Sequence, residues 1–234
     1  MTVPEIQRKL RKLANKEKAR LLQGFFKTGP GQYGEGDVFL GITVPLLRKL
    51  AKECRGTSVA DSLTLLRSEV HEQRLLALFL LIHAYAQGDD AVKKRIYGEY
   101  LKNTRSINNW DLVDLSAPNI VGDHLLDRNR KPLYALARSR DLWKKRIAIL
   151  ATFRFIKQDD FADSLAIAGM LIKDEHDLIH KAVGWMLREV GKRDMQTEEG
   201  FLKNHYRTMP RTMLRYAIER FPEAKRQRYL KGKV

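Results

Sequence analysis

Residues 145–150 read KRIAIL, and the same grammar recurs at QRLLAL (73–78), WDLVDL (110–115), HKAVGW (180–185) and LRYAIE (214–219). In each, a charged residue opens an apolar helical run. Aligned on Arg74, Asp111, Arg146, Lys181 and Arg215, the steps are 37, 35, 35 and 34 residues. A period of about 35 with two helices per unit is the arithmetic of an α-solenoid, whose stacked helix pairs bury a continuous core. The expected fold class is therefore all-α, with one helix of each pair on a concave face. Four of the five aligned positions are basic. If they point into the concavity, the groove is basic and suits an extended polymer. The alternative is an irregular helical bundle whose spacing reflects ordinary helix lengths.

Outward from the repeats, helical periodicity still dominates. Thr2-Val3-Pro4-Glu5 has the form of a capping box. Ile6, Leu10 and Leu13 follow at helical spacing, and Asn15 divides them from a second helix carrying Leu21 and Leu22. The segment KTGPGQYGEGD, residues 27–37, holds four glycines and one proline and reads as a loop. It lacks the ending of a P-loop and follows no strand. In FLGITVPLLRKL, Thr43 stands near a helix cap with Pro45 in the first turn. Neither alternating β-branched runs nor an Asn-Gly hairpin turn occurs. The expected organisation is one domain over 1–234, with N-terminal helices at 1–26, a Gly-rich loop at 27–37 and helical repeats at 38–230.

Composition narrows the function classes. At 234 residues the chain is long enough to bury a core without staples. Its single cysteine, Cys54, excludes an internal disulfide and a cysteine-built metal site. Lys and Arg number 44 against 28 Asp and Glu, a net charge of +16 that suits a polyanionic partner. The longest apolar run, Leu75 to Ile82, falls far short of the ~20 residues of a membrane span. The N-terminus has no apolar segment of the secretory kind. These features predict a cytoplasmic protein, without a membrane partner, that meets phosphates. His176 and His180 are spaced to share a metal, but no third ligand is evident, so no metal is expected. The basic end AKRQRYLKGKV (224–234) reads as a frayed helix adding nonspecific attraction to nucleic acid.

One repeat breaks the basic pattern. Asp111 stands where its neighbours carry Arg or Lys, with Asp114 three residues on and Trp110 before it. Trp110 and Asp114 form an i,i+4 pair on one helix face. A carboxylate in a positive groove opposes phosphate binding, and catalysis would offset that cost. The bland alternative has Asp111 capping a helix and Asp114 paired with a base. Arg146 occupies the repeat position after Asp111, and Trp185 lies four residues past Lys181. If successive units stack, Trp110, Asp114, Arg146 and Trp185 converge. Aromatic faces attract a cation, a carboxylate stabilises developing positive charge and an Arg holds a phosphate. Cleavage of a sugar–base bond passes through an oxocarbenium-like state. A base made cationic by alkylation leaves neutral and needs no second carboxyl to protonate it.

The segments FLGITVP, NWDLVD, LWKKRIAIL and KAVGWMLRE, in that order, resemble those of AlkD-type DNA alkylation repair proteins, from about residue 20 to 220. The resemblance implies a HEAT-like repeat solenoid with a concave DNA-binding face. It also implies a monofunctional DNA glycosylase that releases 3-alkyladenine and 7-alkylguanine without a cofactor and without swinging the base out of the duplex. The implied partner is double-stranded DNA carrying alkylated bases, bound by a monomer. By the same resemblance Asp114 is the catalytic carboxylate, Trp110 and Trp185 contact the deoxyribose and backbone, and Arg146 holds a phosphate. Thr43 and Arg48 fall at further backbone contacts, and Lys181 and Arg188 are further DNA-binding candidates. Where some members place a Tyr to complete the aromatic cradle, this chain offers Phe25 or Tyr33. A non-catalytic solenoid binding DNA or RNA by structure is the alternative, and a protein-binding scaffold a weaker one.

Overall fold

The computed structural model describes residues 1–234, which form two compact units, Met1–Ser116 and Ala117–Val234. Nearly all regular structure is helical, as the periodicity predicts. The first unit holds α1 (Val3–Leu13), α2 (Lys16–Phe25), α3 (Val44–Glu53), α4 (Val59–Leu66), α5 (His71–Gln87), α6 (Asp90–Lys102) and the start of α7 (Trp110–Ala117). Glu5 accepts the Thr2 amide at 2.8 Å, and Asn15 caps α2 by accepting from Lys18 at 2.9 Å. Helix α5 is the hub, packed against α3, α4 and α6. Leu75, Leu76, Leu78, Leu80 and Leu81 are all buried, so this helix is apolar all round. Its first turn is the exception. His71, Glu72, Gln73 and Arg74 are buried as well, and polar side chains at that depth need partners.

Glu72 finds them in the backbone. Its carboxylate accepts the amides of Leu40, Gly41 and Ile42 at 2.9, 2.7 and 3.1 Å, pinning the segment before α3 onto α5. Gly41 has φ of 80°, and a Cβ there would lie 2.2 Å from the Asn15 carbonyl oxygen. The chain can make this close crossing only with glycine.

The second unit continues the winding of α7 as one π turn, Pro118–Gly122. Pro118 has no amide to give the carbonyl four residues back, which interrupts the regular ladder. There follow α8 (Asp123–Leu125), α9 (Lys131–Ala137), α10 (Leu142–Ala151), α11 (Phe153–Ile156), α12 (Ala162–Leu171), α13 (Asp177–Gly191), α14 (Met195–His205), α15 (Arg211–Ala217) and α16 (Glu223–Leu230). Helix α13 is the hub here, packed against α10, α12, α14 and α15. The basic end is not frayed: Tyr229 of α16 is fully buried, its ring set edge-on to Tyr206 and Phe221. Two buried aromatic contacts outweigh the fraying expected of a charged terminus. No helix is long and apolar enough to cross a membrane.

Glu198 of α14 is buried beneath Gly191, where a Cβ would collide with its carboxyl. Burial, with the charge of Glu199 beside it, pushes its pKa up to about 9. From the ordinary carboxylate range up to that value, the folded chain holds a proton that the unfolded chain has released. Stability therefore falls as pH rises through this window. Thermal melts should show Glu198→Gln more stable than the wild type at about pH 8 and nearly equal at about pH 5. Gly41→Ala should cost about 1–3 kcal/mol in urea unfolding, from the φ strain and the clash with Asn15.

Candidate active site

Helix α7 starts where Asn109 Oδ1 accepts the Trp110 amide at 2.8 Å. This start places Trp110 and Asp114 on one helix face, both half-buried. The two acids of the segment then part. Asp111 turns inward, and its Oδ2 lies 2.8 Å from His71 Nε2. Asp114 stays half-accessible, and its charge helps raise the pKa of the buried Tyr100, an effect dominated by burial. The Tyr100 hydroxyl pairs with Ser116 at 2.8 Å, tying α6 to α7.

Trp110 is held by rings. Its plane stacks on Phe26 at 5.0 Å and 12°, and Phe25 meets it edge-on at 5.9 Å. Phe25, one of the two aromatics offered by the sequence, makes this contact and remains 65 % exposed. Phe26 stacks in turn on Phe39 at 5.0 Å, and Phe39 on His71 at 4.5 Å. These rings line a cleft of about 460 Å³ with Leu22 and Leu75. Thr43, at the cap of α3, and Lys18 stand at its polar edge. Arg48 is exposed, its guanidinium 5.6 Å from the Phe79 ring centre.

Beneath the aromatic stack lies a buried charge cluster that sequence reasoning did not find. Asp37, delivered by the Gly-rich loop, accepts from Arg74 at 2.7 Å and lies 3.2 Å from His71 Nδ1. Burial opposes the charge on Asp37, but the His71 hydrogen bond and the Arg74 guanidinium outweigh it and hold its carboxyl below the usual range. The available signal was His-Glu-Gln-Arg directly before the apolar run Leu75–Ile82, four polar residues opening a helix with no polar face.

In the second unit, Trp185 of α13 is half-buried, its indole Nε1 donating to Glu189 at 2.9 Å and its ring 6.0 Å from Phe153. Lys181 donates to Asp177 at 2.8 Å, and Arg188 pairs with Glu219. Arg146 is only 4 % exposed and donates to the Leu178 carbonyl. Arg74, Asp111 and Arg146 are thus buried with internal partners, which corrects the expectation that the repeated charge lines a groove at these three positions. They stand within the first two turns of largely buried helices, and buried charge must be matched locally. His176 and His180 do not form a metal pair. His176 Nδ1 caps α13 by accepting from Leu178, and His180 bonds the Asp174 carbonyl.

The chain matches the family described as DNA alkylation repair enzyme over residues 6–221, and it belongs to that family. Among solved structures, a protein described as a predicted DNA alkylation repair enzyme from Enterococcus faecalis matches with a TM-score of 0.70 and 17 % identity. That match covers 90 % of this chain and 97 % of the other. At such identity the likeness speaks for the fold. No curated protein matches the chain. Family membership places this protein in the repair of alkylated DNA.

Removing Asp37 leaves Arg74 and His71 buried with one carboxylate fewer. Asp37→Asn should cost about 3–5 kcal/mol at neutral pH in urea unfolding, the usual penalty for breaking a buried pair. Because the Asp37 pKa is depressed, its stabilisation is present above the ordinary carboxylate value and lost as pH falls through the lowered one. The gap between variant and wild type should therefore narrow on acidification.

Proposed function

We propose that this protein is a DNA N-glycosylase that hydrolyses the glycosidic bond of cationic alkylated purines, 3-alkyladenine and 7-alkylguanine, in duplex DNA. The observation that carries it is the pairing of Asp114 with Trp110 on one face of α7, half-accessible while the neighbouring Asp111 is buried. An acid kept accessible in a chain of net charge +16 opposes the binding of phosphates, a cost that catalysis would offset. The C1′–N bond breaks with its electron pair passing to the alkylated base, which leaves neutral. The Asp114 carboxylate stabilises the oxocarbenium that remains. Water adds to C1′ and gives up a proton, with Asp114 the acceptor at hand. No acid has to reach the leaving base, so chemistry does not require its extrusion.

In the first unit Trp110 offers a π face to the cationic sugar, with Phe25 edge-on against it; in the second, Trp185 offers a π face to the DNA. In the first unit Thr43 and Arg48 contact phosphates, and in the second Lys181 and Arg188 do so, while Arg146 stays an internal tie to the Leu178 carbonyl. No cofactor or metal takes part in this reaction.

The test is release of free base from methylated duplex DNA. Asp114→Asn should slow release by about 2.7–4 kcal/mol of barrier, the cost of losing a preorganised electrostatic group. DNA affinity should hold or improve, since a negative charge near phosphates is gone. Tight, salt-sensitive binding with no base released by the wild type would instead indicate a non-catalytic DNA-binding solenoid. Arg48→Ala should weaken binding and reduce its salt slope by about one phosphate contact.

A further inference from the structure

Both ring nitrogens of His71 face carboxylates. Nδ1 lies 3.2 Å from Asp37 Oδ2 and Nε2 2.8 Å from Asp111 Oδ2. A neutral imidazole has one N–H and one lone pair, and an ionised carboxylate only accepts. Two such acceptors at opposite ends of the ring are both satisfied only by the doubly protonated imidazolium. The groups facing the ring are Asp37 from the Gly-rich loop, Asp111 from α7 and Arg74 from α5 itself. Glu72, next in sequence, is engaged with the three amides at 40–42. Desolvation works against the charge on His71, but the hydrogen bonds to Asp111 and Asp37 outweigh it and raise its pKa.

The ring faces matter as much as the nitrogens. Phe39 stacks on His71 at 4.5 Å and 21°, and Phe26 lies against it at 5.1 Å and 41°. Phe26 in turn stacks on Trp110. His71 therefore reaches the proposed site by two routes. Through Asp111 it holds the first turn of α7, one turn before Asp114. Through Phe26 it sets the plane on which the Trp110 indole rests. All of these groups lie within Met1–Ser116.

We propose that His71, as an imidazolium bridging Asp37 and Asp111, is a positioning residue that fixes Trp110 and Asp114 for the reaction. The role in reaction rests on the glycosylase proposed above; the coupling of His71 to Trp110 does not. Loss of the His71 proton leaves one carboxylate facing a lone pair. The bond to Asp111 or to Asp37 is then given up, and the first turn of α7 loosens. Stability and activity supplied by the bridge are present below the ordinary imidazole value and lost as pH rises through the raised one.

The experiment follows two signals across pH in the full chain. Nitrogen-correlated NMR reports the His71 ring and the Trp110 indole N–H, the latter assigned with Trp110→Phe. Single-turnover release of 7-methylguanine from methylated duplex reports the chemistry. In the wild type the Trp110 indole resonance should shift with the His71 titration, and the release rate should decline over the same range. His71→Gln keeps a donor for only one carboxylate. It should release base between roughly 10- and 100-fold more slowly at neutral pH, the range expected for misplaced groups, and lack the alkaline decline. An indole resonance that stays fixed while His71 titrates overturns the proposal. So does a folded His71→Gln that keeps the wild-type rate and pH profile. The wild-type titration decides the coupling even if the variant fails to fold. A wild type that releases no base removes the glycosylase proposal, while the indole shift still decides whether His71 positions Trp110.

Discussion

A buried cluster of four charges, Asp37, His71, Arg74 and Asp111, holds the N-terminal unit to one geometry. It ties three segments that share no sequence proximity: the Gly-rich loop, the start of α5 and the start of α7. Each member alone would be costly to bury, and the cluster is tolerated because every charge meets an opposite one at hydrogen-bond distance. Replacing it with apolar groups could preserve stability. What it adds is direction, since a hydrophobic contact allows sliding and a bidentate imidazolium does not. The aromatic stack from His71 to Trp110 inherits that direction. The half-accessible carboxylate of Asp114 sits one helical turn beyond the residue the cluster grips.

The same logic explains the repeat. A charged residue at the head of an apolar helix is the most legible feature of the sequence, and it looks like a lining for a groove. In the structure Arg74, Asp111 and Arg146 are internal ties instead. Lys181 and Arg215, at the later repeat positions, remain accessible. A charge in the first two turns of a buried helix can reach either solvent or the carbonyls and carboxylates of a neighbouring element. Arg146 reaches the Leu178 carbonyl, and Arg74 reaches the Ser68 and Glu69 carbonyls as well as Asp37. Periodicity records where such a residue stands and carries no information about which way it turns.

Much of the candidate site was written in local sequence. The i,i+4 spacing of Trp110 and Asp114 sets them on one face once α7 starts at Asn109. Asp114 was the candidate catalyst and Asp111 a candidate cap, and packing buries Asp111 while leaving Asp114 half-accessible. Phe25 was the nearest match for a prop, and the end of α2 sets it edge-on against Trp110. The histidine pair at 176 and 180 had metal-ligand spacing, but both rings had nearer backbone partners. His71 itself passed unnoticed because its partners lie 34 and 40 residues away.

The sequence by itself determined the all-helical class, the glycine-rich break at 27–37, the polyanion-seeking charge and the shared helix face of Trp110 and Asp114. Each of these depends on composition or on spacing within a turn or two of helix, which the chain carries wherever it folds. Tertiary structure decided which charges are buried, that Phe26 stacks on Trp110, and that a histidine bridges two carboxylates beneath it. Those outcomes depend on the desolvation of one side chain by residues far away along the chain, and such a cost exists only when the elements meet.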